Sequence, residues 1–267
     1  MISLENVSKK FGTGIYAVTD ITFSVEKGEF VFLVGPTGSG KTTIFRMITR
    51  EMIPTHGTIV VNNWDVIRLP GKKIPELRKK IGVVFQDLKL LPDRTVFENT
   101  ALPLEVVGRK PNEAKKRVQE VLEQVGILEH AEKFPRQLSG GEQQRAAIAR
   151  ALILSPEILL ADEPTGDLDD IMSWEIVKLL SDINESGTTV IMATHNHDII
   201  KKLNKRVVEL NKGSLVNDKK GHKTKEEKKH DSESEKHGEK KEESKEESPE
   251  NGKKNDMTDD FEEALKE

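Results

Sequence analysis

Apolar residues along this chain gather in short, nearly unbroken runs rather than in alternation with polar ones. Phe30 to Val34, Ile81 to Phe85, Ile158 to Ala161 and Thr189 to Ala193 are each of strand length and mostly apolar throughout. Such continuity means burial on both faces, as in the strands of a parallel sheet covered by helices. Helical stretches separate the runs, so the pattern predicts an α/β fold with a mostly parallel core sheet. Residues 1 to 34 open with shorter strands punctuated by Gly12-Thr13-Gly14 and Glu26-Lys27-Gly28, which predict a small N-terminal antiparallel β subdomain. Between Asp87 and Pro156 the pattern turns to helices without strands, as in Asn112 to Val125 and Glu142 to Leu154. An inserted α-helical subdomain over about 87–156 is expected there, with Ala146, Ala147, Ala149 and Ala151 small enough for close packing.

After Asn217 the chain contains no apolar residue until Met257. Lys, Glu, Ser and His cannot bury enough surface to offset the entropy of ordering. The expected organisation is one folded domain over 1–217 and a disordered charged tail over 218–267. Phe261, Ala264 and Leu265 lie at helical spacing near the end, either in an unstructured terminus or in a short docking helix. The tail holds 13 Lys against 18 Asp and Glu, net −5, and leaves 29 Lys and Arg against 28 acidic residues in the rest. A near-neutral domain offers no basic footprint for nucleic acid, so no specific nucleic-acid partner is expected. The acidic tail suits a protein partner or recruitment to a site better than an anionic lipid surface.

With no cysteine in the chain, disulfides and thiolate metal sites are excluded. No apolar run approaches the roughly 20 residues of a membrane helix. Met1 leads into a strand-like segment without a signal sequence, so any membrane work is expected to use another protein's spans.

The chemistry begins at Gly35-Pro36-Thr37-Gly38-Ser39-Gly40-Lys41-Thr42, directly after a buried run. Glycines let the backbone bend until successive N–H groups point inward, and the helix that follows adds its positive end. This is a triphosphate cradle in which Lys41 reaches the β- and γ-phosphates and the Thr42 hydroxyl is placed to ligate Mg²⁺. Thr43 follows as the next residue of the same site. Asp162 ends an apolar run, where a bare carboxylate is costly and a cation resolves the cost. Glu163 is beside it and, on an extended backbone, points the other way, as suits a carboxylate that polarises the attacking water.

A second motif, Leu138-Ser139-Gly140-Gly141-Glu142-Gln143-Gln144-Arg145, is followed by Gly166-Asp167-Leu168-Asp169 and then by His195. Ser139, Gly140 and Gly141 lie just before a helix and face an anion with hydroxyl and N–H groups. In this combination the chain resembles the ATP-binding cassette family, a branch of the P-loop nucleotide hydrolases, over residues 1 to about 217. From Phe85-Gln86-Asp87 through Leu90 to Asn99 and Ala101 to Leu104 it is most similar to the cell-division members.

The resemblance implies an ATPase using ATP and Mg²⁺. Glu163, His195 and Gln86 then serve catalysis, with His195 bonding the γ-phosphate, and Gln86 joins Thr42 and Asp162 at the metal. It also implies a homodimer in which Ser139, Gly140, Gly141 and Glu142 cover the partner's nucleotide and Asp167 and Asp169 contact across the interface. Relatives usually have Asn where Asp167 stands, which adds a negative charge there. The aromatic that stacks on adenine is Phe11 by position, with Tyr16 as the other candidate. An integral membrane partner, docked on the segment Asp87 to Leu104, is implied as well, with the ATPase peripheral at the cytoplasmic face. An ATPase of lipoprotein release or small-molecule export shares this residue set. A soluble cassette of DNA repair or translation needs coiled coils, zinc cysteines or a basic face, and the sequence offers none of these.

Overall fold

The computed structural model describes residues 1–12 and 14–221. The expected tail beyond these, including Phe261, Ala264 and Leu265, lies outside the described residues. Strand β1 (Ile2–Lys10) pairs antiparallel with β2 (Tyr16–Val25), and β3 (Phe30–Val34) leads through the glycine loop into α1 (Lys41–Ile48). Then come β4 (His56–Val61), the two-residue β5 (Trp64–Asp65), α2 (Ile74–Lys79) and β6 (Ile81–Val84). The strand-free stretch holds α3 (Val96–Val106), α4 (Pro111–Gln124) and α5 (Gly140–Leu152). The chain continues through β7 (Ile158–Asp162), α6 (Asp170–Glu185), β8 (Thr189–Thr194), α7 (His197–Leu203), β9 (Arg206–Asn211) and β10 (Ser214–Lys219).

Two sheets result. The larger has the order β10-β9-β3-β8-β7-β6, parallel except for β10, and the smaller has the order β2-β1-β4-β5. In β3 every residue is buried, and successive side chains enter different cores. Phe30 and Phe32 pack with Val84, Leu159, Ala161 and the helices α3 to α6. Val31 and Leu33 pack with α1 and with Leu4 and Ile59 of the antiparallel sheet. Period-two alternation between two apolar environments is why this strand reads as continuously hydrophobic.

Two expectations need correction. The antiparallel sheet is not confined to residues 1 to 34: β4 and β5 complete it, while β3 belongs to the core sheet as its apolar run predicts. The folded chain also runs past Asn217, because Asp218 lies in β10. Its two carboxylate oxygens accept from Arg206 Nε and Nη2, each at 2.7 Å, and Arg206 Nη1 also donates to Glu29. These bonds push the Arg206 guanidinium above its ordinary pKa.

Candidate functional site

The cradle sits where β3 gives way to α1. Gly40 caps the helix in a left-handed conformation, φ 105°, and a Cβ there would stand 2.4 Å from Val18 Cγ1. A Cβ on Gly35 would meet the Leu210 carbonyl oxygen at 2.3 Å. The loop is therefore pressed between β2 and β9, and only glycine fits at these two positions. Pro36, Thr37 and Gly38 lie at the surface while Ser39 is buried. The first N–H groups of α1 have no partner within the helix and face outward as donors.

Around this loop the ends of the parallel strands bring together four of the expected residues with Lys41. Thr42 Oγ1 donates to Asp162 Oδ2 at 2.7 Å. Lys41 Nζ donates to the Gly35 carbonyl at 2.7 Å and stands 3.3 Å from Glu163 Oε1. Glu163 Oε2 is 2.9 Å from His195 Nδ1. Lys41 is buried, whereas His195 is two-thirds exposed.

Glu163 does not continue the strand as expected. Its φ is 48°, and its N–H donates to the Ala193 carbonyl. A turn, rather than strand alternation, separates its carboxylate from that of Asp162, at a left-handed cost of about 1–2 kcal/mol.

Burial pushes the Asp162 carboxyl above the ordinary carboxylate range, with the neighbouring Glu163 acting in the same direction. Its Oδ1 is buried and has no hydrogen-bond partner. A buried carboxylate with one free oxygen beside a threonine hydroxyl fits a hard divalent cation such as Mg²⁺. Among the described residues no group of three or more His, Cys, Asp or Glu is arranged for a metal. Asn196 accepts from the N–H groups of Asp198 and Ile199 to cap α7, so His195-Asn196-His197 is a helix start.

Gln86 lies two residues past β6, exposed, and lines a cleft of about 780 Å³ together with Thr42 and Asp162. The loop that follows has two consecutive left-handed residues, Leu88 (φ 53°) and Lys89 (φ 51°). Arg150 of α5 donates to both of their carbonyls, and burial lowers its pKa. Fully buried Asn99 of α3 holds the next turn, accepting from Leu91 N–H and donating to the carbonyls of Leu91, Arg94 and Thr95. Asn99 closes the segment Leu90 to Asn99 that carries the resemblance, whereas Arg150 belongs to no motif that the sequence announces.

Ser139 to Glu142 form a separate cluster at the start of α5. Ser139 is its N-cap in a reciprocal box with Glu142. Gly140 and Gly141 face Leu168 and Met172, so this cluster adjoins the Asp167–Asp169 turn. Among the described residues no hydrogen bond or ion pair joins Ser139, Gly140, Gly141 or Glu142 to the loop 35–43. Asp167 is exposed, and Asp169 caps α6 by accepting from Met172 N–H at 2.8 Å. Phe11 and Tyr16 flank the turn between β1 and β2, both half-exposed, and Ala17 just beyond them approaches Gly40. No described helix is long and apolar enough to cross a membrane.

Comparison with known proteins places these residues in context. The family described as ABC transporter matches residues 18–166. The cell division ATP-binding protein FtsE of Bacillus subtilis is 50% identical over 218 residues, covering 82% of this chain and 96% of the relative. FtsE of Mycobacterium tuberculosis is 49% identical over 219 residues, covering 82% and 95%. A solved dimer of an ATP-binding cassette in a post-hydrolysis state, bound to ADP and Pi, superimposes with a TM-score of 0.76 at 37% identity, covering 84% of this chain and all of that one.

Proposed function

The chain belongs to the ABC transporter family, and from that premise we propose that it is the ATP-hydrolysing subunit of a cell-division system, coupled to an integral membrane partner of the FtsX type. The observation that carries the hydrolytic part is the joined set Thr42, Asp162, Lys41, Glu163 and His195 at the ends of the parallel strands. Phosphoryl transfer asks a protein mainly for positioning and charge neutralisation, and each of these groups supplies one of the two.

Lys41 and the N–H groups of the loop hold the triphosphate. Thr42, Asp162 and Gln86 would hold Mg²⁺, which when bound neutralises charge on the β- and γ-phosphates. Glu163 orients and polarises the attacking water, held in its turn by Lys41 and His195. His195, which is exposed, meets the γ-phosphate. Phe11, with Tyr16 as its neighbour across the turn, stacks on adenine.

Ser139, Gly140 and Gly141 complete a second copy's site. Their separation from the chain's own phosphate loop, and the dimeric state of the solved neighbour, support this shared arrangement. The cleft at Gln86 is also lined by Phe45, Arg46, Phe85 and Pro103 beside the segment Asp87 to Leu104. Apolar and cationic groups next to Gln86, a proposed Mg²⁺ ligand, suit a cytoplasmic segment of the membrane partner, which would hold the subunit at the inner face.

The test is Mg²⁺-dependent ATP turnover of the purified chain, alone and with the membrane partner in vesicles. Glu163→Gln should bind ATP, accumulate as dimers and lose turnover. Wild-type turnover by that variant, or cross-links from Asp93 and Glu98 that reach only their own chain with the partner bound, would count against the proposal.

A further inference from the structure

We infer that His130 is a positioning residue for Ser139, acting through Glu142. This rests on the shared-site reading above, in which Ser139 meets the partner's nucleotide. Glu142 uses its two oxygens differently. Oε2 accepts from Ser139 N–H at 2.6 Å and from the Ser139 hydroxyl at 2.9 Å, while Oε1 lies 2.7 Å from His130 Nε2. The bonds from Ser139, with His130 and Lys133 nearby, hold the Glu142 carboxyl below the usual range, so it is ionised.

This arrangement sets up a competition. A hydroxyl that donates to a carboxylate cannot donate that hydrogen to an incoming γ-phosphate, and a bare carboxylate beside the phosphate would repel it. Donation from His130 Nε2–H to Oε1 draws charge away from Oε2 and fixes the carboxylate plane, so Ser139 can turn its hydrogen to the phosphate without the cap being lost. Glu129 also approaches the same nitrogen, at 3.9 Å.

Two further observations support the assignment. His130 Nδ1 is buried without a hydrogen-bond partner. An apolar side chain would fill that volume without an orphaned nitrogen, so packing alone does not account for a histidine. The backbone just after the turn Leu128–His130 is also clamped to α3, since Val96 and Phe97 N–H donate to the Lys133 and Ala131 carbonyls, both at 2.8 Å. His130 is thus the side-chain link between α3, where the partner is proposed to dock, and the serine.

The test compares His130→Gln with His130→Asn in the full chain carrying Glu163→Gln, and reads ATP-driven dimerisation by sedimentation. Counting bonds from Cβ, the Gln amide nitrogen reaches the position of Nε2 and the Asn nitrogen only that of Nδ1. The expected result is that His130→Asn and His130→Leu weaken dimerisation about tenfold while His130→Gln stays within about twofold of the parent. ADP binding by the monomer should be equal in all of them. Equal behaviour of the Gln and Asn variants, or parental dimerisation by His130→Asn, would overturn the inference. Ser139→Ala in the same assay separates the two levels. If it too dimerises normally, the shared-site reading falls; if it is impaired while His130→Asn is not, only the role of His130 falls.

Discussion

The glycine loop and the start of α5, both proposed to meet a phosphate, are built by different means. At the loop the work is done by backbone, wedged where a Cβ on Gly35 or Gly40 would strike β9 or β2. At α5 it is done by side chains, through the reciprocal box of Ser139 and Glu142 with His130 behind it. The first is fixed by the core and complete within one chain. The second is at the surface and polar, which suits the proposed half of a shared site that must engage and release.

The strongest break in the comparison is Glu163→Gln. Removing the charge that activates water should lower kcat by about 10²–10⁴-fold and leave ATP binding intact, as filter binding and single-turnover assays would report. Next is Ser139→Arg, which should abolish ATP-driven dimers while the monomer binds nucleotide normally. Lys41→Ala should do the opposite, weakening nucleotide binding by the monomer about 100-fold through lost charge-assisted bonds. If both variants lose monomer binding, the two regions are not separable.

Asp162 tests how far the core is strained for the sake of the site. Burial raises its folded-state pKa above the unfolded value, so the folded protein holds that proton more tightly. The resulting stability is present at low pH and is lost as pH rises through the raised value. Asp162→Asn should therefore raise the melting temperature of the metal-free protein at neutral pH by about 2–4 °C, and the gain should vanish as the pH falls into that range. Turnover should be lost at every pH. The smallest effect is expected from Thr95→Ala, which removes the cap of α3 and should cost about 1 kcal/mol in denaturant titration, without changing nucleotide binding.

How legible each feature is depends on what its chemistry demands of residue type. Phosphate cradling needs glycines and a lysine at fixed spacing, and a cation needs a carboxylate at a strand end, so Lys41, Thr42 and Asp162 can be read from residue type and spacing alone. Gln86, His195 and Ser139 need the family resemblance, because a glutamine after a strand or a histidine after another has many plainer uses. The roles of Asn99 and Arg150 are not legible because their partners are backbone groups, which carry no sequence signal. The turn at Glu163 is hidden for a related reason, since tertiary contact rather than local propensity sets its φ. Strands β9 and β10 escape the hydrophobic pattern because they are half-exposed at a sheet edge, with only Val208 and Leu210 fully inside. Asp218 has the composition of a charged tail, and its pairing with Val208 and its bond to Arg206 place it in the sheet.

Helix α5 carries Ser139 at one end and, near the other, Arg150, whose grip fixes the loop after Gln86. The intervening residues form one unbroken rod of about 16 Å at 1.5 Å per residue. Pivoted at Arg150, a tilt of only about 10° would carry Ser139 through about 3 Å, a full hydrogen-bond length. The pivot end grips the loop that follows Gln86, since Arg150 donates to the Leu88 and Lys89 carbonyls. A displacement of that loop too small to break its own contacts would, at the far end, be as large as the bond proposed between Ser139 and a neighbour's nucleotide.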